Sequence, residues 1–149
     1  MRCGFSGTFS RRAVGLALTA AALAASGCGG GDASQTSPTR VLKVVEKDFK
    51  VVAPKIVTAG TAVLVEHNRG PVDHELLVVR SDGKPLPLRS DGITVDEDRI
   101  EPRSLGEIEA LEPGEEESLQ VQLNPGRYEL FCNMAGHYLG GMHAVLVVR

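Results

Sequence analysis

Near the C-terminus, between two short runs of strand-forming residues, lies the segment Cys132-Asn133-Met134-Ala135-Gly136-His137-Tyr138-Leu139-Gly140-Gly141-Met142. It carries a thiol, an imidazole and a thioether in the pattern Cys-x4-His-x4-Met. This soft, mixed donor set suits copper better than the hard cations that prefer carboxylates. Singly, a buried cysteine is a small hydrophobe and a methionine fills core gaps. Their convergence on one loop, flanked by Tyr128-Glu129-Leu130-Phe131 and Ala144-Val145-Leu146-Val147-Val148, points instead to a metal. A trigonal copper site with a weak axial methionine takes a second imidazole. His74 is the best candidate, because it opens the apolar run Glu75-Leu76-Leu77-Val78-Val79 and would be delivered by a strand.

The remaining candidates have weaker claims. Alternation along a strand turns His143 away from the face that Met142 occupies. His67 ends a strand-like run, so both histidines are read as structural or solvent-facing. Met134 stands only two residues from Cys132, too close to cap the same ion, and is read as apolar rim.

The constellation resembles the cupredoxins, the small blue-copper proteins, with a loop spaced as in the rusticyanin and auracyanin type. Plastocyanin-type loops are shorter between cysteine and histidine. The resemblance covers residues 41–149, including Asp48-Phe49, Ala59-Gly60-Thr61, the run opened by His74, and the segment from Tyr128 to Val148. It implies a Greek-key β-sandwich holding one type 1 copper ion, with His74, Cys132, His137 and Met142 as ligands. It also implies one-electron transfer to a redox protein partner, reached through the small and apolar residues around His137. Glu75 departs from those cupredoxins that place asparagine just after the first histidine. Its backbone amide can donate to the Cys132 sulfur, whereas an ionised carboxylate cannot.

Taken from its start, the chain opens with Arg2, Arg11 and Arg12, then an apolar stretch over residues 13–25, and no acidic residue before position 28. This is the pattern of an export signal. The stretch is shorter than the ~20 residues a membrane-spanning helix needs. It ends in Ala25-Ser26-Gly27-Cys28, which resembles a bacterial lipobox with alanine where leucine is preferred. Residues 1–27 are therefore read as a signal peptide, and Cys28 as a lipid-bearing first residue that tethers the protein to the outer face of a membrane. A soluble export signal cleaved nearby is the alternative, for a periplasmic or secreted protein. The paired arginines resemble a twin-arginine signal but also occur in ordinary ones.

On that reading Cys3 leaves with the signal, Cys28 carries lipid, and Cys132 has no disulfide partner. In an oxidising compartment an odd cysteine needs an explanation, and metal ligation supplies one. A binuclear copper centre would need two cysteines in the loop. Residues 28–39, rich in glycine and serine, read as a flexible spacer. Residues 40–149 then form one domain, expected to be a monomer.

Without the three arginines of the signal, 13 basic residues face 19 acidic ones, a formal charge of −6. No basic patch invites nucleic acid. Glu112, Glu115, Glu116 and Glu117 surround a turn, as a solvated hairpin or as a surface that steers a basic partner.

The domain itself is a succession of short β-type runs at residues 40–46, 49–52, 55–58, 61–67, 74–79, 107–111, 118–123, 127–132 and 144–148, punctuated by Gly, Pro and Asn. That pattern favours an all-β sandwich. Residues 80–105 are irregular, with a helical turn expected at 95–100, and read as a long insertion between sheets. The histidine-rich sites and second copper domain of a copper oxidase or nitrite reductase are missing, so no enzyme is expected. An electron carrier is the leading reading, with copper storage or delivery as the alternative.

Overall fold

The computed structural model describes residues 39–47 and 49–149. Residues 1–27, read as a signal peptide, Cys28, and nearly all of residues 28–39, read as a spacer, lie outside the described residues. Among the described residues nine strands form: β1 (Arg40–Lys47), β2 (Lys50–Val52), β3 (Ile56–Val57), β4 (Gly60–Asn68), β5 (His74–Arg80), β6 (Ser104–Leu111), β7 (Glu116–Leu123), β8 (Gly126–Phe131) and β9 (His143–Val148). They make two sheets, ordered β2-β1-β4-β7 and β3-β9-β8-β5-β6. β1 lies parallel to β4 and β3 parallel to β9, and the other pairings are antiparallel. The all-β sandwich expected from the punctuated strand pattern is the architecture found.

Alternation decides which side chains enter the sandwich. In β4, Ala62, Leu64, Glu66 and Asn68 are buried while the residues between them are half-exposed. In β1 the same parity buries Leu42, Val44 and Glu46. The apolar ones meet Leu76, Val78, Leu130 and Leu146 of the second sheet, and Cys132 and Met142 of the β8–β9 loop, in one continuous core. Fully burying a leucine such as Leu64 stabilises the fold by about 1.5–3 kcal/mol. Tyr128 closes the β7–β8 turn: its ring is buried, and its hydroxyl donates to the Asn124 carbonyl at 2.9 Å and accepts from the Asn124 amide at 3.1 Å.

The irregular insertion has a definite job. Leu86, Val95 and Ile100 pack with Leu77, Val79, Phe131 and Tyr138 in a second cluster, on the side of β5 and β8 away from the first core. With both faces covered, β5 reads as a continuous apolar run rather than an alternating one. The insertion includes a single helical turn, α1 (Glu97–Ile100), whose N-terminus Asp96 caps by accepting from the Arg99 amide. A turn of 3-10 helix, Glu101–Arg103, then leads into β6.

Several expected boundaries move by one to three residues: β6 begins at Ser104 rather than at residue 107, and β7 at Glu116 rather than at residue 118. The run expected to begin a strand at Phe49 begins it at Lys50 instead, because Phe49 takes a left-handed backbone conformation with φ 56°. It turns the chain between β1 and β2.

Candidate metal centre

His74 opens β5 and Cys132 directly follows β8, so the antiparallel pairing of these two strands brings them to the same end of the sandwich. Cys132 Sγ lies 3.3 Å from His137 Nδ1 and 3.9 Å from His74 Nδ1. All three donor atoms lie within 4.8 Å of one another, the one such grouping of three among the described residues. Two donors about 2.0–2.3 Å from a shared ion, at angles of about 100–120°, stand roughly 3.3–3.8 Å apart. The spacing and the chemistry agree: one sulfur and two imidazole nitrogens, with no carboxylate in the set, fit a soft ion such as copper rather than calcium or magnesium.

The loop that carries two of these donors is tied by its own backbone. The Cys132 amide donates to the Met142 carbonyl at 3.1 Å, and the Met142 amide to the His137 carbonyl at 3.0 Å. His137 N–H donates to Met134 O at 2.8 Å. These bonds fold eleven residues back on themselves and tie the backbone of the fully buried Met142 to both Cys132 and His137. Met134 is half-buried against the core, in keeping with an apolar rim.

Three side groups that the sequence did not single out hold the frame. Asn68 Nδ2 donates to the carbonyls of Val72 and Leu111 at 2.8 and 2.7 Å, and its Oδ1 accepts from the Gly70 amide at 2.8 Å. It thereby fixes the segment that leads into His74. A β-carbon at Gly70 would collide with His74 Nε2, so glycine there makes room for the imidazole. Asn133 joins the loop to the insertion: its Oδ1 accepts from the Val95 amide at 2.5 Å, and its Nδ2 donates to Val95 O at 3.1 Å and Glu97 Oε1 at 2.6 Å. The Gly136 amide donates to Ile93 O at 3.0 Å, and the Leu86 amide to the Tyr138 hydroxyl at 3.2 Å.

Electrostatics make the thiol dependent on a cation. Burial pushes the Cys132 thiol up to about 12, opposed by the backbone amides of Glu75 and Met134 and reinforced by the charges of Glu46 and Glu75. A neutral thiol is thus the resting state without metal, and a bound cation is what displaces the proton. The Glu75 amide faces the sulfur, as its sequence position allows, while burial pushes the Glu75 carboxyl up. Burial moves His137 down, which keeps its lone pair available at neutral pH.

The other histidines stand elsewhere. His143 Nδ1 lies 3.2 Å from Glu129 Oε1 with its ring against Tyr138, and His67 Nδ1 lies 3.8 Å from Glu116 Oε2. Both are half-exposed, as read from the sequence.

No protein-family model and no curated protein matches the chain. Solved structures do match. The sodium-dithionite-reduced auracyanin of the photosynthetic bacterium Roseiflexus castenholzii superposes with a TM-score of 0.57 at 18% identity, covering 74% of this chain and 98% of that one. Auracyanin A, a "blue" copper protein of Chloroflexus aurantiacus, matches with a TM-score of 0.53 at 16% identity over 73% of this chain and 98% of its own. Rusticyanin from Thiobacillus ferrooxidans matches with a TM-score of 0.57 at 15% identity over 74% and 78%.

Proposed function

We propose that this chain, which has the cupredoxin fold, is a mononuclear blue-copper protein that carries one electron at a time outside the cytoplasm, with His74, Cys132 and His137 as the strong ligands and Met142 as the weak axial one. The observation that carries this reading is the convergence of the His74, Cys132 and His137 donor atoms from two distant segments, and the backbone bonds of the buried Met142 to Cys132 and His137 support its inclusion. Copper held there supplies a one-electron redox couple. The protein's part is to keep the donors fixed, so that little rearranges when the charge changes. The closed loop and the Asn68 and Asn133 clamps do this, and the apolar surroundings keep water away, which also tunes the potential.

His137 is the half-exposed member of the set, and Phe49, Val72, Ile93 and Leu139 are exposed apolar side chains on the segments near it. This is the face proposed to meet a redox protein partner. The exposed glutamates of the turn that links β6 to β7 across the two sheets support a basic partner: Gly114 N–H donates to Asn68 O at 2.8 Å, which puts that turn at the metal end of the sandwich.

Among the described residues, no helix is long and apolar enough to cross a membrane. Attachment is proposed through lipid on Cys28. Labelling with a radioactive fatty acid marks the wild type and misses Cys28→Ser on this reading, and equal labelling of both overturns it.

The visible and electron-spin spectra of the copper-loaded protein test the central proposal. An intense blue band that cycles reversibly with oxidant and reductant, and disappears in Cys132→Ser, is expected. An unchanged spectrum in Cys132→Ser removes that residue from the site. Rapid copper transfer to an acceptor without redox turnover would favour storage or delivery.

A further inference from the structure

Phe49 breaks two ordinary preferences at once. Its φ of 56° lies in the left-handed region, where it is alone among the described non-glycine residues. Residues with a β-carbon adopt that region at a cost and keep it where the surrounding structure imposes it, often at functional sites. Its side chain is also 53% exposed, although large apolar groups are usually buried. Core packing therefore does not account for its position.

What the ring touches does. It stands edge-on to the His137 imidazole, with ring centroids 5.1 Å apart and an interplanar angle of 66°. On its other side it occupies the space that a β-carbon at Gly140 would take. The strained turn belongs to the first sheet, between β1 and β2, whereas His137 and Gly140 belong to the loop that leaves the second sheet. His137 is otherwise flanked by the His74 ring, at a centroid separation of 5.2 Å. The outer side of the imidazole is thus closed by one residue from the opposite sheet.

We infer that Phe49 is a positioning residue for the metal centre: the left-handed turn presents its ring as a cap that fixes the orientation of the His137 imidazole, and Gly140 is the seat that admits the ring. The inference rests on the copper reading for its consequence but not for its geometry, which the metal-free protein already has. Two kinds of substitution separate the cap from a mere packing role. Phe49→Gly removes the ring and suits the left-handed backbone, so the fold is expected to be no less stable. Phe49→Tyr keeps the ring. Gly140→Ala leaves Phe49 in the sequence but places a methyl group where the ring sits. That methyl also comes within 3.2 Å of the Gly136 carbonyl, so the comparison is made in both backgrounds.

The experiment is nuclear magnetic resonance of the His137 ring protons in the metal-free protein, together with the rate of copper release to a chelator from the loaded form. Phe49→Gly is expected to shift the His137 resonances, by loss of the neighbouring ring current, and to speed release roughly two- to tenfold, the worth of one aromatic contact. Phe49→Tyr keeps both near wild type. Gly140→Ala reproduces the Phe49→Gly effect in the wild-type background and adds much less to Phe49→Gly. Unmoved His137 resonances in Phe49→Gly, or an equal effect of Gly140→Ala in both backgrounds, overturns the inference. A wild type that takes up no copper sinks the function proposed above, while the metal-free resonances still decide the role of Phe49.

Discussion

Glu46 and Glu66 face the same interior from the adjacent parallel strands β1 and β4, both at 0% exposure. In register Glu46 lies opposite Asn68, and Glu66 opposite Val44, so the two carboxyls sit on one inward face at the metal end of the first sheet. Burial is the largest cause raising both, and Glu66 adds to it for Glu46. Other acidic groups reach them from neighbouring elements: Glu75 on β5 acts on both, and Glu117 on β7 acts on Glu66.

The direction fixes a pH dependence of stability. A carboxyl whose folded value lies above its unfolded value of about 4.5 binds its proton more tightly in the folded state. Its contribution is complete below that unfolded value and is lost as pH rises toward the folded one, at most by about 1.4 kcal/mol per pH unit for each proton. The metal-free protein should therefore lose stability between pH 5 and pH 8 through this pair. His137, moved down by burial, works in the opposite sense at the acid end, so the useful quantity is the difference between wild type and Glu46→Gln. Chemical denaturation at pH 5, 6.5 and 8 should show Glu46→Gln gaining on wild type as pH rises. A difference that stays constant from pH 5 to pH 8 would mean that Glu46 is ionised in the fold throughout that range.

Gly70→Ala tests how closely the frame fits the first histidine. The added methyl group meets His74 Nε2, and Asn68 Oδ1 at 3.2 Å, on a segment that Asn68 holds in place. The backbone accepts alanine here, so the fold survives and the imidazole is displaced. Supports of a metal ligand typically carry about 10- to 100-fold in affinity. Copper competition titration should show a loss of about tenfold or more in Gly70→Ala, with the denaturation midpoint of the metal-free protein nearly unchanged. An unchanged copper affinity would show that the ring has another place to go.

How much of this was legible in the chain depends on whether the signal was local. Cys132 and His137, two members of the observed cluster, share one loop, and strand punctuation carries the sandwich, so both are readable in the sequence. His74 was found because it opens an apolar run. The insertion was read as a crossing and not as a cover, since Leu86, Val95 and Ile100 are spaced with no strand or helix period and reveal their common target only in three dimensions. Asn68 and Asn133 were missed for a similar reason: an asparagine beside a turn looks the same whether its amide meets water or three backbone groups. Glu46 and Glu66 did leave a trace. They share the parity of Leu42 and Val44, and of Ala62 and Leu64, which places them inward on alternation alone. The Phe49 turn left none, because the chain there reads as the start of a strand.

Met142→Leu separates the axial position from the equatorial ones. The methionine is fully buried, and its backbone amide and carbonyl are engaged with His137 and Cys132, so exchange for leucine, similar in volume, should cost under about 1.5 kcal/mol in fold stability. The three strong donors remain, so copper should still bind and the blue band should persist. What changes is the balance between oxidation states. The thioether is a weak donor that favours the more highly charged cupric ion. Its removal from a pocket that stays dry leaves a three-coordinate site better suited to the cuprous ion. Voltammetry should therefore find a higher potential in Met142→Leu than in wild type, whereas His74→Ala, which removes a strong donor, should lose or severely perturb the site. A potential unmoved in Met142→Leu, or a normal blue spectrum in His74→Ala, would reject this division of roles.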